Sequence, residues 1–212
     1  STQMKATGEV MSLGRTLEEC WLKAVRSLET GVCHLYMAKF DNESIDALMN
    51  YIKQGTDDRY YAIAELIRRK VDIGMIYDAT KIDMIFLEKI KNIVLMEKEL
   101  AAAKWNEEVL RDAKKMGFCD KFISKLWECP EIDVYNLRME NNIVPVYKII
   151  DTCGAEFESS VSYFYSTYEN ENESVVSDKK KIIVLGSGPI RIGQGIEFDY
   201  SSVHCVWALK KL

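Results

Sequence analysis

The chain has 212 residues, 29% of them charged, and a net charge of −5 with both signs interspersed. This acidic balance offers no basic stripe, which disfavours nucleic acid as a partner. No apolar run approaches the roughly 18 residues of a membrane span, and the first residues do not resemble a signal peptide. With 48% hydrophobic residues and 3 prolines, the composition favours a mainly helical globular protein in the cytoplasm.

The six cysteines form no CxxC pair and are accompanied by two histidines. Most of the cysteines fall in apolar helical patterns, where a free thiol packs as a small hydrophobic group. In the adjacent pairs Cys33-His34 and His204-Cys205 the side chains point away from each other, so we interpret them as packing residues. The pattern therefore favours neither a disulfide framework nor a zinc site.

A capping box predicts the first helix. The Thr16 hydroxyl can accept a hydrogen bond from the amide of Glu19, whose carboxylate can reach back. Apolar residues then recur at three- and four-residue steps as far as Leu28, and Gly31 supplies a left-handed stop. This pattern is typical of an amphipathic helix.

Similar start and stop signals predict further helices before residue 141. The predicted helices follow the start signals at Ser44, Thr56, residues 80–83, Asn106 and Asp120, and the last one has Pro130 as its first helical residue. The longest keeps its apolar phase to about residue 101. About seven helices with short connections indicate a small all-α bundle.

The chain then changes character. Residues 143–150 are rich in β-branched side chains and interrupted by Pro145, which favours an extended edge strand. Residues 163–168 are a second extended stretch, whose aromatic side chains could pack internally or form a contact surface. Residues 169–174 are polar and acidic, and we interpret them as an exposed linker.

Residues 182–185 are four consecutive apolar residues bounded by lysines and Gly186. This is typical of a strand buried on both faces of a parallel sheet. Such a strand needs parallel neighbours joined by crossovers of a dozen or more residues, whereas one turn and one helix, from about Ser201, follow here. We therefore expect an incomplete Rossmann-like unit, and a chain that is an excerpt of a longer protein.

The turn after this strand contains Gly186, Gly188 and Gly193. Their spacing, GxGxxxxG, differs from the dinucleotide fingerprint GxGxxG, and the Gly-Lys-Ser/Thr of a P-loop is missing, so we interpret the glycines as structural. Glu197 and Asp199 follow at the carboxyl end of the predicted strand, where open α/β sheets bind ligands. The equal alternative is that Asp199, or the serine two residues later, caps the next helix.

Residues 186–200, GSGPIRIGQGIEFDY, resemble the opening of the second half of the carbamoyl-phosphate synthetase large subunit. Residues 3–11 (QMKATGEVM), 151–158 (DTCGAEFE) and 165–168 (YSTY) resemble the same family, in the right order and at suitable distances. Together these motifs span nearly the whole chain.

The resemblance implies the central part of a large subunit in which two homologous halves, each with an ATP-grasp unit, are joined by a helical oligomerisation domain. Residues 1–30 would be the tail of the carboxyphosphate-forming half, and 31–175 the oligomerisation domain. Residues 181–212 would begin the pre-ATP-grasp domain of the carbamoyl-phosphate-forming half. The implied fold is mainly α: a helical bundle followed by an incomplete α/β Rossmann-like unit.

The implied parent enzyme is an ATP-dependent C–N ligase. It makes carbamoyl phosphate from bicarbonate, glutamine-derived ammonia and two ATP, with Mg or Mn, for arginine and pyrimidine biosynthesis. The implied partners are other large-subunit copies and a glutaminase subunit or domain.

This segment is expected to be a scaffold and oligomerisation module with no catalytic residue, cofactor or metal of its own. Glu9 and Glu197 match positions that the family associates with the wall of a carbamate tunnel. The alternative is a stand-alone helical protein-interaction module with a Rossmann-like tail.

Overall fold

The computed structural model describes residues 10–158, 163–185 and 197–211, with only the backbone described for 197–199. Its helices are α1 Leu17–Ser27, α2 Ile45–Ile52, α3 Arg59–Arg68, α4 Ile73–Thr80, α5 Met84–Ala102, α6 Glu107–Lys115, α7 Asp120–Trp127, α8 Glu131–Glu140 and α9 Glu197–Lys211. A short 3-10 helix covers Ala38–Phe40, and the strands are β1 Val146–Ile149 and β2 Phe164–Thr167. The mainly α fold predicted from the sequence is confirmed.

Side-chain caps begin most of the bundle helices. Thr16 Oγ1 accepts from the amide of Glu19 at 3.2 Å, and Ser44 Oγ accepts from the amide of Ala47 at 3.1 Å. Such caps satisfy amides that have no partner within the first helical turn. The same kind of cap begins α4, α5 and α6, through Asp72, Asp83 and Asn106.

The predicted helix boundaries differ from the structure in a few places. Helix α4 was not predicted, because it is short, contains Gly74 and buries only Ile76 among its side chains. Pro130 is the N-cap of α8 and not its first helical residue. Helix α9 begins at Glu197 and not near residue 201, so Asp199 is helical and the prediction that it caps this helix is wrong.

Helix α5 lies at the centre of the bundle and packs against α1, α3, α4, α6 and α7. It fully buries one apolar face, formed by Leu87, Ile90, Ile93, Val94 and Leu100. Removing this apolar surface from water is the main force that holds the bundle together. Among the described helices, even this 19-residue one lacks the continuous apolar length that would cross a membrane.

Strands β1 and β2 form an antiparallel pair in which Val146 lies opposite Thr167. Both predicted extended segments are therefore confirmed. The pair is attached to the bundle by cations from two helices. The Lys23 ammonium donates to the carbonyl of Ser166 at 2.6 Å, and the Lys114 ammonium lies 5.0 Å from the centre of the Tyr168 ring.

Residues 169–173 are exposed, as predicted, and Ser174 is half-buried, but the segment 169–174 is not a free linker. The amide of Tyr147 donates to Asn172 Oδ1 at 2.9 Å, and the amide of Glu173 donates to the carbonyl of Tyr147 at 2.9 Å. The Glu173 carboxylate also accepts from the amide of Ile149 at 2.7 Å. This segment therefore satisfies backbone groups along the outer edge of β1, which an edge strand otherwise leaves open.

Residues 182–185 do not form the buried strand that the sequence predicts. They are in no strand, and the side chains of Ile183 and Leu185 are 84% and 90% exposed. A parallel strand is stabilised by hydrogen bonds to its neighbours, and in the described part of the chain β1 and β2 pair only with each other. Residues 182–185 therefore have the apolar sequence of a buried strand, but no described strand lies beside them to pair with.

Candidate functional site

Most of the residues predicted from the sequence to mark a site lie outside the described part of the chain. These are Glu9, Gly186, Gly188 and Gly193. Glu197 is the first residue of α9, and its side chain is not described. The tunnel-wall role of the two glutamates and the structural role of the glycines therefore stay predictions.

The structure reveals a buried ionic network that sequence reasoning missed. His34 lies on the connector between α1 and the 3-10 helix, and its Nε2 is 2.7 Å from Glu97 Oε1 on α5. Arg68, at the end of α3, donates from Nε to Glu97 Oε2 at 2.7 Å and from Nη2 to Oε1 at 2.8 Å. Three elements distant in sequence are thus joined by one carboxylate.

The network fixes the charge of its members. Burial alone would raise the pKa of Glu97, but hydrogen bonds from Arg68 and His34, with the charge of Arg68, lower it to about 2. Burial lowers the pKa of His34, against the opposing effect of Glu97. A neutral imidazole beside an ionised carboxylate must donate through Nε2, which leaves Nδ1 as an acceptor. Nδ1 is buried and has no hydrogen-bond partner among the described residues.

Aromatic rings hold the imidazole of His34 in place. It stacks on Phe122 of α7, with ring centres 3.6 Å apart and planes 17° apart, and its centre lies 4.8 Å from that of Phe118. The sequence contains no local signal for this arrangement, since Glu97 lies 63 residues beyond His34. The interpretation of Cys33-His34 as packing residues missed this hydrogen bond to a buried carboxylate, although the ring does pack in the core.

A cavity of about 670 Å³ opens beside this network. We call it the α7 cavity. The connector residues 31–34 and 36–39 form one wall, Phe122, Lys125 and Leu126 of α7 form another, and Arg68 and Glu97 close the floor. Pockets of this size, with an apolar lining and a few converging polar groups, are typical of small-molecule sites.

Two groups of large apolar side chains lie on the outside of the bundle. The α8 surface consists of Ile132, Tyr135 and Met139, which are 58%, 44% and 47% exposed and recur on one helix face. The α4–α5 surface consists of Met75, Tyr77, Ile85 and Phe86, which are 39–57% exposed. Where such side chains form a contiguous patch, the patch is a candidate surface for contact with another protein.

The described residues form a helical bundle with exposed apolar side chains, an arrangement that is typical of interaction and assembly domains. In the described residues, no group of three His, Cys, Asp or Glu could hold a metal ion. A family model described as the oligomerisation domain of the carbamoyl-phosphate synthetase large chain matches residues 9–142. The model of the carbamoyl phosphate synthase preATP-grasp domain matches residues 178–212. The chain therefore belongs to the carbamoyl-phosphate synthetase large-chain family, which confirms the resemblance of its motifs.

Proposed function

We propose that the chain is the central segment of the large subunit of a glutamine-dependent carbamoyl-phosphate synthetase, and that this segment is a non-catalytic scaffold and assembly module. The observation that carries this proposal is the order of the two matches, in which an oligomerisation domain precedes a preATP-grasp domain in one chain. The parent enzyme would act in the cytoplasm with ATP and Mg or Mn, for arginine and pyrimidine biosynthesis. We assign no described residue to ATP or metal.

Three parts follow from the proposal. Residues 1–30 would be the tail of the carboxyphosphate-forming half, 31–175 the oligomerisation domain, and 181–212 the start of the second half. Helix α1 physically belongs to the bundle, because its Leu22 and Val25 lie in the same buried core as α5. The tail of the first half would then be anchored directly in the oligomerisation domain.

Incubation of the 212-residue chain with ATP, bicarbonate and ammonia tests the non-catalytic role. We expect no phosphate release above that of ATP alone. Phosphate release that depends on bicarbonate or ammonia would contradict the proposal. Sequencing the source gene on both sides separates it from the alternative of a stand-alone interaction module, because flanking ATP-grasp sequence would support the large subunit.

Self-association is the part of the proposal that this chain can test by itself. A specific interface buries about 800 Å² on each partner, so the α8 surface or the α4–α5 surface would need the polar residues around it as well. Both surfaces lie on helices whose opposite faces contribute to the core, through Val134 of α8 and Leu87 of α5. Each surface is therefore held rigidly and could bind a second copy without refolding.

Sedimentation velocity over a range of protein concentrations measures the association. Ile132→Glu places a charge in the α8 surface, and Ile85→Glu places one in the α4–α5 surface. Glu140→Lys and Ala101→Glu are controls, since each changes a charge at an exposed position of the same helices outside these surfaces. We expect one surface variant to dissociate the oligomer and the controls to leave it intact. A wild-type chain that stays monomeric at high concentration would contradict autonomous assembly.

The tunnel role proposed for Glu9 and Glu197 is testable in the complete large subunit. Glu9→Gln and Glu197→Gln should lower carbamoyl phosphate formation more than bicarbonate-dependent ATP hydrolysis, because transfer between the sites would be impaired while the first reaction continues. An equal loss of both activities would contradict the tunnel role. The glutaminase subunit or domain would remain the ammonia source in this assay.

A further inference from the structure

The α7 cavity lies outside the roles proposed above. Its volume of about 670 Å³ falls within the roughly 300–1,000 Å³ of small-molecule pockets. Its apolar walls come from Val32 and Met37 of the connector and from Phe122 and Leu126 of α7. An aromatic or branched aliphatic body of about ten carbon atoms would gain by leaving water for such walls.

The floor of the cavity contains charges, but they are already satisfied. Both oxygens of Glu97 accept hydrogen bonds, one from Arg68 alone and the other from Arg68 and His34. The Arg68 guanidinium also donates to the carbonyl of Leu35 and lies 3.3 Å from Glu65 Oε2. The floor therefore offers no free carboxylate to a cationic ligand.

The rim of the cavity is different, because it carries two lysines. Lys39 is paired with Asp58. Lys125 is exposed and forms no ion pair or hydrogen bond with the described residues. An anionic group at the rim would therefore find one uncommitted ammonium group, whereas a cationic group would be repelled by Lys125.

We propose that the α7 cavity binds a small amphipathic carboxylate, with its apolar body between the connector and Phe122 and its carboxylate against Lys125. The apolar walls provide most of the affinity, and Lys125 selects the sign of the charge. This proposal does not depend on the parent reaction or on self-association. It assigns to the helical bundle a binding site for an organic anion.

Three probes of nearly equal shape test the proposal: naphthalene-2-carboxylate, its uncharged amide and the cation 2-naphthylmethylammonium. Each is titrated into the 212-residue chain labelled with ¹³C at methionine methyl groups, and the Met37 signal is assigned with Met37→Leu. We expect a saturable shift of the Met37 signal. The carboxylate should bind about fivefold more tightly than the amide, as for one exposed ion pair, and the cation should bind most weakly.

Lys125→Glu should weaken carboxylate binding about tenfold and reverse the preference in favour of the cation. Lys91→Glu is the matched control, since it makes the same charge change at an exposed position of α5 that does not line the cavity. Equal affinities for the three probes would overturn the proposal, as would equal effects of the two variants. A Met37 shift on raising protein concentration without probe would also overturn it, by showing that a second copy covers the cavity.

Discussion

The helical bundle and the C-terminal segment, residues 178–211, both contain runs of apolar residues, but among the described residues only those of the bundle are buried. In the bundle, Ile93 and Val94 are fully buried. In the segment, Ile183 and Leu185 are almost fully exposed, and no described side chain between residues 178 and 211 is buried. An apolar pattern therefore specifies a face to be covered, and burial follows only where other elements cover it.

The first prediction tests how much the buried network around Glu97 stabilises the bundle. Glu97→Gln removes the charge shared by Arg68 and His34 and leaves the mostly buried guanidinium with only the more distant carboxylate of Glu65. We expect the free energy of unfolding to fall by about 3–5 kcal/mol, as for other broken buried pairs. Urea unfolding followed by circular dichroism measures the change.

Glu99→Gln is the control for this prediction. It makes the same chemical change at an exposed position of α5, and we expect a change within about 0.5 kcal/mol. Equal effects of the two substitutions would mean that the buried network does not contribute to the stability of the bundle.

The second prediction concerns the loss of stability at low pH. Because the pKa of Glu97 is lowered from 4.5 to about 2, the unfolded chain takes up this proton first. The ionised Glu97 carboxylate therefore adds about 3 kcal/mol to the free energy of unfolding. This contribution is complete above about pH 4.5 and is lost as the pH falls towards 2. The lowered pKa of His34 acts in the same direction, since the unfolded ring takes up its proton near pH 6.5 while the buried ring stays neutral.

The difference between the wild type and Glu97→Gln isolates the contribution of Glu97, because other carboxylates titrate in both proteins. Unfolding free energies measured from pH 7 to pH 3 should converge between the two as the pH falls. A difference that stays constant over this range would contradict the lowered pKa of Glu97.

The third prediction separates packing from backbone strain within the bundle. Gly117 has φ +91°, and a Cβ there would lie 3.0 Å from Glu19 Cα and 3.2 Å from its carbonyl oxygen. Gly117→Ala should destabilise the protein by about 2–3 kcal/mol, from the left-handed conformation and from displacement of α1. Thermal unfolding measures the loss.

Gly31→Ala supplies the matched control. Gly31 has φ +84°, and no described atom lies within 4 Å of the added carbon, so only the backbone strain of about 1–2 kcal/mol applies. If the two variants lost the same stability, the close approach of Gly117 to α1 would have no energetic consequence.

The same contrast explains which features the sequence could predict. Helix starts were predictable at Thr16 and Ser44, because the cap and the amide that it satisfies lie three residues apart. The contact of His34 with Glu97 was not, because it depends on how the connector after α1 packs against α5, 63 residues further along the chain. The strand predicted at residues 182–185 is absent for a related reason. Its apolar pattern is local, but a strand is stabilised by hydrogen bonds to neighbouring strands, which the local pattern does not supply.

The last prediction has the smallest expected effect and tests the comparison most directly. Deletion of residues 178–212 should change the free energy of unfolding of the bundle by less than about 0.5 kcal/mol, because no described side chain of this segment is buried. Deletion of residues 169–174 is the contrasting variant. It removes the hydrogen bonds of Asn172 and Glu173 to the edge of β1. The free energy of unfolding should fall by about 1 kcal/mol for each of these bonds. If the first deletion destabilised the bundle as much as the second, the C-terminal segment would contribute to the core, and the proposed division between the two regions would be wrong.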